Sequence, residues 1–259
     1  MSRSDAGGAG RKWLGTGWKM NKTLAEARAY ADALRAAPDL DRLDVNLFVL
    51  PPFTALAAVC ERLAGLPVRV GAQNIHWAES GAWTGEVSAA MVRDCGATIA
   101  ELGHSERRAH FAETDAAINR KVRAALAHGL IPLVCVGETA EERGLGAAVA
   151  TVQRQTRMAL SGLGAGDAGR VLLAYEPVWA IGEGGTPATP DYAAAIHREI
   201  RAAAADLLGA SPPVLYGGSV NRGNCVELFA RPEIDGLFIG RAAWQAEGLL
   251  DIARAVLAG

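Results

Sequence analysis

Apolar residues gather in short runs that recur eight times along the chain, each closed by polar or glycine-containing residues. The runs cover residues 12–18, 45–50, 68–71, 97–102, 130–136, 171–175, 213–216 and 236–239. They are apolar nearly throughout, as strands covered on both faces are. Between them, residues 23–36, 54–64, 114–128, 141–160, 191–208 and 248–257 are rich in Ala, Leu, Arg and Glu. Their apolar positions fall near the 3.6-residue period, and the pattern predicts helices. Residues 86–94 and 223–230 complete the alternation with a weaker pattern.

Strands alternating with helices predict a parallel sheet with right-handed crossovers, and eight such units predict closure into a (β/α)8 barrel. The competing open, doubly wound sheet announces itself with G-x-G-x-x-G after its first strand. Here that turn reads Gly15-Thr16-Gly17-Trp18-Lys19-Met20, without the third glycine. The 259 residues match the roughly 250 of one such barrel, and no change in composition divides them. A single domain over residues 12–259 is expected, preceded by a frayed Gly-, Ser- and Ala-rich tail at 1–11 that lacks a signal-peptide core.

Composition removes several classes of function. A formal charge of −2 gives no electrostatic reason for a nucleic-acid or anionic-membrane partner, and no apolar run approaches a membrane span. Cys60, Cys95, Cys135 and Cys225 lie far apart, with no metal-ligand spacing. Reduced thiols in a cytoplasmic protein are expected, with no metal site.

In a barrel of this kind, chemistry sits at the C-terminal ends of the strands. The fourth run ends in Glu101-Leu102-Gly103-His104-Ser105-Glu106-Arg107-Arg108. A histidine opening a short helical turn has its uncharged form favoured by backbone N–H groups and the helix dipole. Taken alone, the octapeptide is equally a surface loop of mutually paired charges. The sixth run ends in Glu176-Pro177-Val178-Trp179-Ala180-Ile181-Gly182, a carboxylate followed by an apolar, glycine-studded loop. That is the pattern of a base under a lid, whose closure would expel water. After the seventh and eighth runs, Tyr216-Gly217-Gly218-Ser219-Val220 and Ile239-Gly240-Arg241 offer backbone N–H groups where barrels often hold phosphate. Lys19, after the first run, would set a positive charge beside a developing oxyanion.

Trp18-Lys19-Met20-Asn21, Glu101 to Arg108, Cys135-Val136-Gly137-Glu138, Ala174 to Gly182 and Tyr216 to Val220, in this order, closely resemble triosephosphate isomerase over nearly the whole chain. The resemblance implies a TIM barrel. It implies that Glu176 removes the carbon-bound proton, that an uncharged His104 moves protons between oxygens, and that Lys19 acts as an electrostatic clamp. Gly182, Ser219 and Gly240 match phosphate-holding positions, Pro177-Val178-Trp179 the first hinge of the lid, and Glu106 an active-site carboxylate. No metal or organic cofactor is implied. The segment beginning at Gln73 and ending at Glu86 resembles the loop that the family inserts into a neighbouring subunit, implying a homodimer.

Three places depart from the family pattern. Gly17 stands where an asparagine normally touches substrate and the partner's loop. Glu183 replaces a usual threonine, with residues 185–188 about one residue longer than the usual second hinge. Gly240-Arg241 replaces a Gly-Gly pair, and this arginine could fork onto a phosphate or point into solvent. The combination resembles the branch of the family that isomerises tetrulose phosphates, converting L-erythrulose 1-phosphate to D-erythrulose 4-phosphate in tetritol (erythritol) breakdown. That substrate is dihydroxyacetone phosphate with an extra hydroxymethyl group on the reacting carbon, and loss of the asparagine side chain would admit it. The alternative is triosephosphate isomerisation in glycolysis and gluconeogenesis. A Schiff-base aldolase is disfavoured because no lysine follows Lys121. A retired, non-enzymatic barrel is disfavoured because Glu176, His104 and Lys19 all remain.

Overall fold

The computed structural model describes residues 10–182 and 185–259. Eight parallel strands run in chain order around a closed barrel: β1 (Trp13–Gly17), β2 (Asn46–Leu50), β3 (Val68–Ala72), β4 (Ile99–Leu102), β5 (Ile131–Val136), β6 (Leu172–Tyr175), β7 (Val214–Tyr216) and β8 (Gly236–Ile239). β1 closes the barrel by pairing with β8, in a register that sets Trp13 beside Gly236 and Thr16 beside Ile239. Each strand lies within or one residue beyond its predicted run.

Outside the barrel lie α1 (Leu24–Ala36), α2 (Phe53–Leu63), α3 (Ala89–Asp94), α4 (Ser105–His110), α5 (Asp115–Ala127), α6 (Ala140–Gly144), α7 (Ala148–Leu160), α8 (Pro190–Leu208), α9 (Cys225–Ala230) and α10 (Ala246–Ala258). Five of these helices start at a Ser or Thr cap: Thr23, Ser88, Thr114, Thr139 and Thr189 each accept from a backbone N–H of the first turn. One prediction fails here. The single helix expected over 141–160 is two, because Gly146 takes φ +73° and carries the chain through a left-handed turn between α6 and α7. α3 and α9 begin two to three residues later than their patterns suggested.

The side chains sort by parity. Leu14, Leu47, Val49, Ala100, Leu102, Val134, Leu173 and Tyr216 face outward into the main core shared with the helices. Trp13, Phe48, Leu50, Ile99, Leu133, Cys135, Leu172, Ala174, Leu215 and Phe238 point inward and fill the barrel. A Cβ on Gly15 would strike the Phe48 ring at 2.4 Å, so this glycine lets the aromatic plug the floor. Residues 1–9, most of the expected tail, lie outside the described residues; Arg11 pairs with Asp44 at 2.6 Å.

Candidate active site

At the C-terminal mouth the inward parity continues past the plug, and it turns Gly17, Glu101, Glu176 and Gly217 toward one cavity of about 640 Å3. The same cavity is lined by Lys19, His104, Glu106, Gly182, Ser219, Gly240 and Arg241. Every candidate residue from the sequence therefore meets in one place. Glu183 lies outside the described residues.

His104 ends the β4 turn and caps α4. Its Nδ1 accepts the Glu106 amide at 3.2 Å, which leaves a proton for Nε2 to donate to Glu176 Oε1 at 3.1 Å. The other Glu176 oxygen accepts the Ser105 amide at 2.9 Å. The carboxylate is only 2 % exposed and is held between imidazole and helix N-terminus.

Lys19 sits at φ +54°, a conformation that side-chain-bearing residues seldom adopt. The turn around it is pinned from three sides: Trp18 N–H donates to Leu50 at 3.1 Å, the Asn21 amide to the Trp18 carbonyl at 2.8 Å, and the Trp244 indole to the Gly17 carbonyl at 3.1 Å. Lys19 Nζ then reaches Glu106 Oε1 at 2.7 Å. Partial burial raises the Glu106 pKa, but Lys19 and His104 outweigh it and hold the carboxyl below its ordinary range.

Glu101 carried no role in the sequence reading. It is 4 % exposed, and one ligand-type atom from each of Glu101, His104 and Glu176 lies within 4.8 Å of the others. Burial, reinforced by Glu176 and Glu106 and opposed by His104 and Lys19, pushes its carboxyl up to about 7. A carboxylate inside an otherwise apolar run was the available signal.

Glu138 is the second omission. Fully buried, it accepts on Oε1 from Tyr175 Oη at 2.9 Å, Trp179 Nε1 at 2.7 Å and Tyr192 Oη at 3.0 Å. The Arg143 guanidinium stacks 3.8 Å over the Trp179 ring. The first hinge of the 177–182 loop is thus fixed to a buried carboxylate while Ile181 and Gly182 line the cavity mouth.

Glycine-rich strand ends and Ser219 line one part of the cavity, and the His104–Glu176 pair and Lys19 another. The sequence profile of triosephosphate isomerase matches residues 12–256. The chain belongs to the triosephosphate isomerase family. Within that family it is 58% identical to an L-erythrulose-1-phosphate isomerase of Brucella abortus biovar 1 (strain 9-941), over 93% of this chain and 94% of the relative. It is 56% identical to the protein of that name in Rhizobium meliloti (strain 1021), over 94% and 96%, and 54% identical to that of Mesorhizobium japonicum, over 93% and 95%. Gly17, where the family pattern has an asparagine, lies on the cavity wall between Phe238 and Glu101. A Cβ built there would lie 3.2 Å from the ring and 3.6 Å from Glu101 Oε2.

Proposed function

We propose that this protein interconverts L-erythrulose 1-phosphate and D-erythrulose 4-phosphate by proton transfer through an enediolate. The similarity of 54–58% over nearly the whole chain to proteins of that name carries the choice of substrate. Gly17 supplies its physical reason: it lines the cavity with no side chain, and a hydroxymethyl group on the reacting carbon needs space that an asparagine would fill. Membership of the family supports the reaction class.

In this reading the phosphate lies against Gly182, Ser219 and Gly240, with Arg241 at the same rim, and the carbon chain points down toward Gly17. Glu176 leaves the Ser105 amide and takes the C3 proton. The electron pair shifts to the C2 carbonyl, whose oxygen accepts the proton of His104 Nε2. His104 then recovers a proton from the C3 hydroxyl, and Glu176 returns its own to C2, leaving the ketone at C3. Atoms and charge balance without any other reactant. Lys19, held by Glu106, offsets the negative charge on the enediolate oxygens. Closure of the loop after Pro177-Val178-Trp179 would exclude water from that intermediate.

A homodimer belongs to the same proposal. The 73–86 arm carries stacked His76, Trp77 and Trp83, with centroids 4.2 and 4.4 Å apart, and Trp83 is 48% exposed. Met20, Phe53 and Phe111 stand exposed around the same mouth. Such a set is suited to burial against a second copy. No described helix is long and apolar enough to cross a membrane. A cytoplasmic role in tetritol breakdown completes the proposal.

The deciding experiment compares kcat/KM on L-erythrulose 1-phosphate and on dihydroxyacetone phosphate with one preparation. A ratio well above one is expected. A ratio well below one would assign the chain to triose isomerisation. Unaltered turnover in Glu176→Asp would remove Glu176 as the base under either assignment.

A further inference from the structure

Glu101 is a buried acid that the chemistry above leaves unused. It lies on β4 at the same inward parity as Ile99, one layer above the aromatic plug, and forms part of the cavity wall. Its surroundings are mixed: Leu133 is its register partner on β5, and His104 and Glu176 offer polar atoms within 4.8 Å. Among the described residues the one hydrogen-bond donor to it is the Cys135 thiol, 3.9 Å from Oε1, and a thiol is a weak donor. Its Oε2 lies 3.6 Å from where a Gly17 side chain would begin. Gly17 and Glu101 therefore adjoin on the wall of one cavity, the carboxyl accepting only that weak thiol bond among the described residues.

We propose that Glu101 is a specificity-determining residue whose carboxyl group hydrogen-bonds the terminal hydroxyl of the tetrulose phosphate. This rests on the substrate reading given above and deepens it. The phosphate loops and the Glu176–His104 pair fix both ends of a three-carbon unit. The additional hydroxymethyl group then leaves the reacting carbon on the side away from the phosphate, where Gly17 makes room. A hydroxyl carried into a barrel interior without a partner would cost more than the added carbon contributes. Glu101 supplies that partner and can serve as acceptor or donor, since its carboxyl titrates at about 7. A pocket made by Gly17 alone would admit the tetrulose and still accept the triose. A pocket with a carboxyl waiting for a hydroxyl discriminates more strongly, because the smaller substrate leaves that group unpaired.

The test uses the full-length wild type, Glu101→Gln and Glu101→Leu. Each is assayed on L-erythrulose 1-phosphate, on its 4-deoxy analogue, which keeps the carbon and lacks the terminal hydroxyl, and on dihydroxyacetone phosphate. Leu matches the apolar surroundings, and Gln keeps the shape and hydrogen-bonding capacity. Competitive inhibition by inorganic phosphate checks that the site is intact in each variant. Glu101→Leu should lose about ten- to a hundred-fold in kcat/KM on the tetrulose, at least ten times its loss on either other substrate, with Glu101→Gln between. Equal losses on all three substrates would place Glu101 in the shared chemistry or in stability and overturn the proposal, as would no loss on any. The wild-type ratio of tetrulose to triose is read in the same experiment. If it favours the triose, the substrate reading fails and takes this proposal with it; if it favours the tetrulose while the variants lose selectivity nowhere, only the role of Glu101 falls.

Discussion

Gly17→Asn restores the side chain that the family pattern normally carries, and the structure sets the size of the effect. The new Cβ would meet Phe238 Cζ at 3.2 Å and Cε2 at 3.5 Å, so the ring must yield by a few tenths of an ångström. It packs against Phe48 with centroids 5.7 Å apart, which limits how far it can move. The carboxamide beyond that Cβ must then enter the cavity on the Glu101 side, where the hydroxymethyl group of the tetrulose is proposed to lie. Excluding a group of one-carbon size costs about 1–3 kcal/mol in discrimination, or roughly 10- to 200-fold. We therefore expect kcat/KM on L-erythrulose 1-phosphate to fall by roughly that factor, and kcat/KM on dihydroxyacetone phosphate to change less than about threefold. Both are measured on one preparation, with a thermal melt to confirm that the barrel survives. Equal losses on the two substrates would refute the steric argument, because a purely structural disturbance has no means of telling them apart.

Glu138→Leu leaves the Tyr175 and Tyr192 hydroxyls and the Trp179 indole without their shared acceptor. It should destabilise by about 3 kcal/mol or more, several degrees in Tm, and Glu138→Gln by clearly less; equal losses would show that the hydrogen bonds contribute little. His197 is fully buried, and burial pushes its pKa down to about 3 against 6.5 in an unfolded chain. The unfolded state then takes up the proton first, so stability is complete above pH 6.5 and declines toward pH 3, by up to about 1.4 kcal/mol per unit. His197→Asn should flatten Tm against pH in that window, and parallel curves for variant and wild type would exclude this residue as the source. Dialysis against EDTA should leave turnover intact, since the Glu176 oxygens already face the Ser105 amide and His104 Nε2. Activity that disappears and returns only with a divalent cation would reassign the Glu101–His104–Glu176 cluster as a metal site.

All eight strands were readable as apolar runs because parallel strands covered on both faces need no other signal. The residues at their C-terminal ends were readable because chemistry gathers there in such barrels, and Lys19, His104, Glu176, Ser219 and Gly240 do meet at one cavity. Of the features that escaped, two did so for different physical reasons. Gly146 inside a helical pattern is ambiguous, since a glycine costs a helix only about 1 kcal/mol and the left-handed turn shows only in three dimensions. Glu101 escaped because one charge in an apolar run is easily taken for a strand end. Its meaning depends on parity within a closed barrel and on its proximity to Gly17, on a strand that is not its neighbour.

That proximity suggests how a barrel of this family changes substrate without changing chemistry. In the proposed mechanism the acid–base pair and the lysine come from the ends of β4, β6 and β1 and the phosphate loops follow β7 and β8; both sets lie at the rim and would hold the parts that triose and tetrulose share. In that reading the part that differs reaches one layer lower, to inward positions such as 17 and 101. Substitution there leaves the rim in place. Gly17 alone would widen the pocket and weaken selection, and Glu101 alone would put a buried acid beside a catalytic carboxylate with nothing for it to bind. Together they make a cavity with a polar end, so the effects of changing them should be coupled. In Gly17→Asn/Glu101→Leu the second substitution should cost far less on the tetrulose than it does alone, because the hydroxyl no longer reaches that layer. Strict additivity of the two losses would mean that the residues act on separate steps, and the paired pocket would have to be abandoned.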